Sequence, residues 1–226
     1  MNEDKKKQKD QHLEKQKPSF GTQGKLRQMS IDVLKQILKE HMKWLKSKGK
    51  EGKRADLHFS NLKEVTLKKA VLSFANMQQS NLFGVNLHQA NLIRTNLKKS
   101  YLSQADLKKA NLYRANLESA KLTGSNFRNS NLTETNLKNS DCKGADFEGT
   151  ILEKASLQGA DLLSAFFEEA DLRDANLTGA KNLNIKQLSG AKTLYQAKLD
   201  PELMKKVKKS YPHLLERPKE KTDQTK

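Results

Sequence analysis

The sequence predicts an all-β solenoid: a four-sided coil with α-helical caps at both ends. Three observations predict it. A leucine-type residue recurs at every fifth position from 57 to 177, 25 times in succession, and 20 of these are Leu. Two places before each stands a small residue, Ala in 14 units, Ser in 6, Thr in 3 and Val in 2, and the position between holds Asn in 12 and Asp in 6. Finally, Phe127, Phe147 and Phe167, three of the residues that replace leucine, are spaced by 20.

A period of five excludes the two regular alternatives. In an α-helix, at about 100° per residue, five residues turn through roughly 500°, which scatters the leucines around the cylinder. In a continuous strand the side chains alternate, and an odd period sends every second leucine to water. The pattern holds only if the chain bends once per unit and returns each leucine to a shared interior. Asn and Asp suit such a bend, because their side chains bond nearby backbone and tolerate unusual dihedrals. The period alone leaves the number of sides open. The phenylalanine spacing sets it at four, since three rings 20 apart then lie in one column. About six coils at roughly 4.8 Å per step make a rod about 30 Å long.

The remaining elements follow in chain order. Residues 1–26 are polar, Lys-rich and aperiodic, and disorder is expected. No apolar run follows the opening MNEDKKKQKDQ, so no secretory signal is expected. Nor does any stretch approach the roughly 18 apolar residues of a transmembrane segment. Over 27–50 an N-terminal capping helix is expected, with Ser30 as N-cap and an end near Ser47. Its apolar arc holds Ile31, Val33, Leu34, Ile37, Leu38, His41, Met42, Trp44 and Leu45, with Trp44 expected on the first coil. The uninterrupted repeats fill 55–180. Beyond Ala180 the register breaks, and 181–215 is predicted as irregular coil and a C-terminal capping helix. There Asn184 is positioned to cap one helical turn, and Asp200 with Pro201 to start a short helix that ends before Pro212. Residues 216–226 are again predicted disordered.

The net charge is +17, distributed as +9 over 1–54, +5 over 55–120, −4 over 121–180 and +7 over 181–226. The repeats are therefore nearly neutral, basic first and acidic last. One cysteine among 226 residues allows no intrachain disulfide, which fits a reducing, cytoplasmic setting. Cys142 stands at a leucine position, where a buried apolar role is expected. His12, His41, His58, His88 and His213 form no pair with metal-ligand spacing. A solid rod offers no cleft. No cofactor, metal, small-molecule substrate or enzymatic activity is expected.

The units ADL, ANL and ADF over 55–180 resemble the A(D/N)LXX signature of the pentapeptide repeat protein family. The resemblance implies a right-handed quadrilateral β-helix. The segment before the first coil is similar to the helix that precedes the repeats in many bacterial pentapeptide proteins. Some members protect type II topoisomerases by imitating DNA, which needs a rod densely covered in carboxylates. Here the repeats sum to a net charge of only +1 and no loop interrupts them.

Function is thus expected at the positions that vary. Grouped by steps of 20, Lys68, Lys69, His88, Lys108, Lys109 and Arg128 share a side that Glu148, Glu168 and Glu169 continue. With Tyr113 and Arg114 these basic residues form a candidate interaction patch for a protein partner. Two Lys-rich clusters, one begun by Lys5, Lys6, Lys7 and Lys9 and one of Lys205, Lys206, Lys208 and Lys209, suit weak binding of nucleic acid or an anionic surface. Apolar residues expected outside are Phe59, Val71, Phe74, Phe83, Ile93, Tyr101, Tyr113, Ile151, Leu163 and Phe166, with Phe74 a candidate for cover by a flanking segment.

Overall fold

The computed structural model describes residues 26–218. The tails expected over 1–26 and 216–226 lie almost wholly outside the described residues. From residue 56 the chain forms parallel bridges between positions 20 apart, such as Asp106↔Asn126 and Asn111↔Asn131. Four five-residue units therefore make one coil, and successive coils stack. Phe127, Phe147 and Phe167 stand in one column with centroids 5.1 and 5.3 Å apart and rings inclined by 11°.

All 25 leucine-type side chains point inward, none more than 4% exposed. Burial of this continuous column is the main favourable contribution, about 1.5–3 kcal/mol for each large side chain. The small residue two places earlier is buried beside it in nearly every unit. Where that residue carries a hydroxyl, it finds a carbonyl. Ser130 Oγ donates to Phe127 O at 2.5 Å, and Thr135 Oγ1 to Leu112 O at 2.8 Å.

The bend does not fall on Asn and Asp, as expected from the sequence, but on the two variable residues after each leucine. In every unit the N–H three residues on donates back to the leucine-position carbonyl, as from Ala110 N to Leu107 O at 3.0 Å. The second variable residue has φ between 51° and 67°, the type II arrangement. Nineteen of these 25 residues are not glycine. The Asn or Asp sits in the middle of a side, at the bridge position. Its Oδ1 accepts the N–H of the first turn residue, as in Tyr113 N to Asn111 at 3.1 Å and Lys108 N to Asp106 at 3.1 Å. So the side chain does bond nearby backbone, but without taking a left-handed conformation itself.

Two segments precede and follow the repeats. Strand β1 (Arg27–Gln28) pairs in parallel with β2 (Ser60–Asn61), covering the edge of one side of the first coil. Helix α1 (Ile31–Lys46) starts at Ser30, whose hydroxyl accepts from Val33 N at 3.3 Å. The chain then reverses at Gly52, φ 70°, where an added Cβ would run into the Glu40 carbonyl. His41, fully buried, accepts the Ala55 N–H on Nδ1 at 3.1 Å and so ties α1 to the first unit. Trp44 meets Phe74 of that coil edge-on at 6.3 Å.

After Ala180 the coil takes up two extra residues and then resumes, with Asp171↔Thr193 and Asn176↔Lys198 bridged at a spacing of 22. The insertion contains α2 (Ile185–Leu188), closed by a capping box between Asn184 and Gln187. Helix α3 (Pro201–Ser210) and a 3₁₀ turn (Pro212–Leu215) follow. Asp200 makes no side-chain bond to α3. Its Oδ1 accepts from Gly179 N at 2.9 Å, at a coil corner.

Leu107→Ala should destabilise by about 2–5 kcal/mol, Asn111→Ala by about 1 kcal/mol and Lys108→Ala by less than about 0.5 kcal/mol in urea unfolding. A second prediction concerns His41. Burial holds its pKa below the ordinary 6.5, and the charge of nearby Arg54 adds to this against the opposing Ser73 main chain. Only the neutral ring accepts from Ala55, so its contribution is complete above pH 6.5 and is lost as pH falls through the lowered value. Stability should drop on acidification below 6.5 more steeply in the wild type than in His41→Gln, compared by thermal melts across that range.

Candidate functional site

Since the variable residues form the turns, their side chains line the four long edges of the rod. Lys68, Lys69, His88, Lys108, Lys109 and Arg128 occupy one edge, brought together by the 20-residue coil. Lys68, Lys69 and Lys109 are exposed and Lys108 half-buried. Among the described residues no carboxylate lies within ion-pair distance of these four lysines. The other two members are engaged. His88 Nδ1 is 4.0 Å from Asp106, and Arg128 lies between Asp146, at 3.5 Å, and Glu148. The transition from basic to acidic along this edge is thus joined by Arg128.

Tyr113 and Arg114 belong to the next edge and form a closed cluster. Arg114 donates to both oxygens of Glu134 at 2.7 and 3.2 Å, and Tyr113 Oη donates to the same carboxylate at 3.2 Å. The Arg114 guanidinium lies 4.9 Å from the Tyr113 ring centroid. Its hydrogen bonds hold the Glu134 carboxyl below the usual range. The candidate patch therefore divides into one edge, where His88 and Arg128 face carboxylates and the four lysines have none within ion-pair distance among the described residues, and another, where Tyr113 and Arg114 share Glu134.

Of the apolar residues expected outside, Phe74, Ile151, Leu163 and Phe166 are exposed. The rest are half-buried, as where Phe83 stacks on Tyr101 at 5.8 Å with Lys63 over its ring. Leu163 and Phe166 share a groove of about 540 Å³ with Lys186 and Gln187. A smaller groove of about 250 Å³ lies between Arg54, Phe74 and Arg94. Sequence grouping passed over Arg94, which precedes Arg114 by one coil. Arg54 lies ahead of the first unit, where the step of 20 has no support in the pattern.

No group of acidic, His or Cys side chains suited to a metal ion occurs among the described residues. Cys142 is fully buried and contacts Ser140 Oγ at 3.1 Å, and burial pushes its thiol up to about 12. A thiol so placed is not a nucleophile. No helix among the described residues is long and apolar enough to cross a membrane.

A filled, four-sided coil whose constant residues face inward and whose variable residues form its edges defines a solenoid repeat protein. The model for pentapeptide repeats matches in 8 copies over residues 53–89, 86–124, 115–153 and 151–181, and the chain belongs to that family. Its members are in general structural or interaction scaffolds. No curated protein sequence matches the chain. Among solved structures, it is similar to HetL, a pentapeptide repeat protein involved in heterocyst differentiation regulation in Nostoc sp. Strain PCC 7120. The identity is 27% over 65% of this chain and 77% of that one, with a TM-score of 0.38. A pentapeptide repeat protein of the Arabidopsis thaliana thylakoid lumen is 29% identical over 42% of this chain and 67% of its own, with a TM-score of 0.41. QnrB1, a plasmid-mediated fluoroquinolone resistance protein, is 19% identical over 67% and 88% of the two chains, with a TM-score of 0.38.

Proposed function

We propose that the protein is a non-enzymatic scaffold that binds another protein through its outward-facing turn residues, chiefly those of the lysine edge. One observation carries this reading: Lys68, Lys69, Lys108 and Lys109 are held in register on one edge of the rod, and among the described residues no carboxylate lies within ion-pair distance of them. Charges fixed in this way favour an acidic surface on the partner and raise the rate of encounter. The rod's own acidic half argues against imitation of DNA. Of the ten carboxylates between 121 and 180, seven lie within ion-pair distance of a Lys or Arg, as Glu148 of Arg128, Asp171 of Arg173 and Asp161 of Lys143, so a densely acidic face is not left. The same reading keeps the protein in the cytoplasm, in line with a single cysteine that has no disulfide partner.

In a crosslinking pull-down from the native cell, the wild-type protein should recover a partner that a variant with all four lysines changed to alanine does not. Both proteins should melt at the same temperature, because the four side chains are surface groups. Equal recovery by the two would remove the lysine edge as the contact, and recovery of nothing under low salt would remove the scaffold reading.

A further inference from the structure

The coil between residues 53 and 181 contains five arginines, and three are bound by carboxylates: Arg114 by Glu134, Arg128 by Asp146 and Glu148, Arg173 by Asp171 and Glu153. Arg54 and Arg94 have no acidic side chain within ion-pair distance among the described residues. These two line the same groove of about 250 Å³. Arg94 follows Phe74 by one coil of 20 residues, and Arg54 precedes Phe74 by the same number in the sequence.

The groove is ordered by contacts that leave its donors free. The Arg94 guanidinium lies 5.8 Å from the Phe74 centroid, held against the ring face. Trp44 meets the same ring edge-on and braces it from α1. Asn96 Nδ2 donates to Gln78 Oε1 at 3.2 Å. The Gln78 amide is thereby oriented with its N–H groups unclaimed by any acceptor among the described residues. Arg54, Arg94 and Gln78 all line this one small space, and guanidinium and amide donors together are the groups that recognise a carboxylate.

We propose that this groove binds a carboxylate side chain of an acidic peptide segment. One feature favours that over a nucleic acid strand. Phe74 already has Arg94 on one face and Trp44 at its edge, so it offers a base a poor stacking platform. Asp56 and Glu40 lie on the other side of Arg54, beside its neighbouring groove. Asp56 is bound to His58 at 2.7 Å and Glu40 to Lys43 at 2.8 Å. Neither carboxylate is therefore an ion-pair partner of Arg54. The site stands apart from the lysine edge, and neither depends on the other.

The test is fluorescence polarisation on the full chain with three labelled probes: a peptide of alternating Glu and Gly, the same peptide with Gln for Glu, and a short oligothymidylate. The Glu peptide should bind, the Gln peptide should bind at least about tenfold more weakly, and the double variant Arg54→Gln/Arg94→Gln should lose a similar factor for the Glu peptide. The variant without the four lysines should bind as the wild type does. Arg54→Gln alone, which removes no ion pair or side-chain hydrogen bond among the described residues, should weaken binding at a nearly unchanged melting temperature at pH 7.5, separating loss of binding from loss of fold. Three results each overturn the proposal: no binding of the Glu peptide, equal affinity in the wild type and the double variant, or tighter binding of the oligothymidylate that the double variant abolishes.

Discussion

The structure depends on where five backbone N–H groups go in each unit. In the unit Ala110 to Arg114, the Ala110 N–H closes the preceding turn on Leu107. Asn111 N donates to Ala90 O one coil earlier, at 2.9 Å. Leu112 N and Arg114 N donate to Asn131 O and Thr133 O one coil later, at 2.7 and 3.0 Å. The fifth, Tyr113 N, goes to the Asn111 side chain. A buried or half-buried amide left unpaired is costly. Thus the Asn or Asp side chain and the turn answer one requirement, pairing of a main chain that turns every five residues, and 18 of the 25 units have the Asn or Asp that completes it.

This pairing explains how residues unsuited to a left-handed conformation tolerate it. Lys69, Arg94, Lys109 and Glu134 all have φ between 53° and 58°, which in isolation costs about 1–2 kcal/mol each. Each is fixed on both sides, by the turn bond that spans it and by its own N–H to the next coil, as from Lys109 N to Arg128 O at 3.0 Å. Long charged side chains can therefore occupy positions that an isolated turn would give to glycine. That is what allows the second turn position, and not only the first, to carry charge.

Much of this was legible in the sequence, for a physical reason: a period of five and a phenylalanine step of 20 leave few ways to bury leucine. The coil and its four sides followed from residues 57 to 177 alone. The place of the bend did not. Asn and Asp are residues that bend chains and also residues that bond backbone, and only coordinates separate the two roles. Strand β1 was hidden because two residues, Arg27 and Gln28, carry no periodicity. On the surface, the 20-residue step placed six basic residues of the lysine edge together correctly in space. It said nothing of which cations a neighbouring carboxylate would neutralise, as Glu134 does Arg114 and Glu148 does Arg128. The Arg54 groove was illegible for another reason, since one wall comes from the coil and its brace, Trp44, from a helix outside the repeat.

The unit of stacking is 20 residues, while the unit of folding is five, and the two have different consequences for change over time. Gain or loss of a whole coil lengthens or shortens the rod and leaves every edge in line. Loss of a single five-residue unit leaves the interior equally well filled, but it rotates everything downstream by a quarter turn. The acidic carboxylates that now continue below the lysines would then lie beneath a different edge, and Arg128 would face new neighbours. A mutation silent to the fold can in this way exchange one binding face for another.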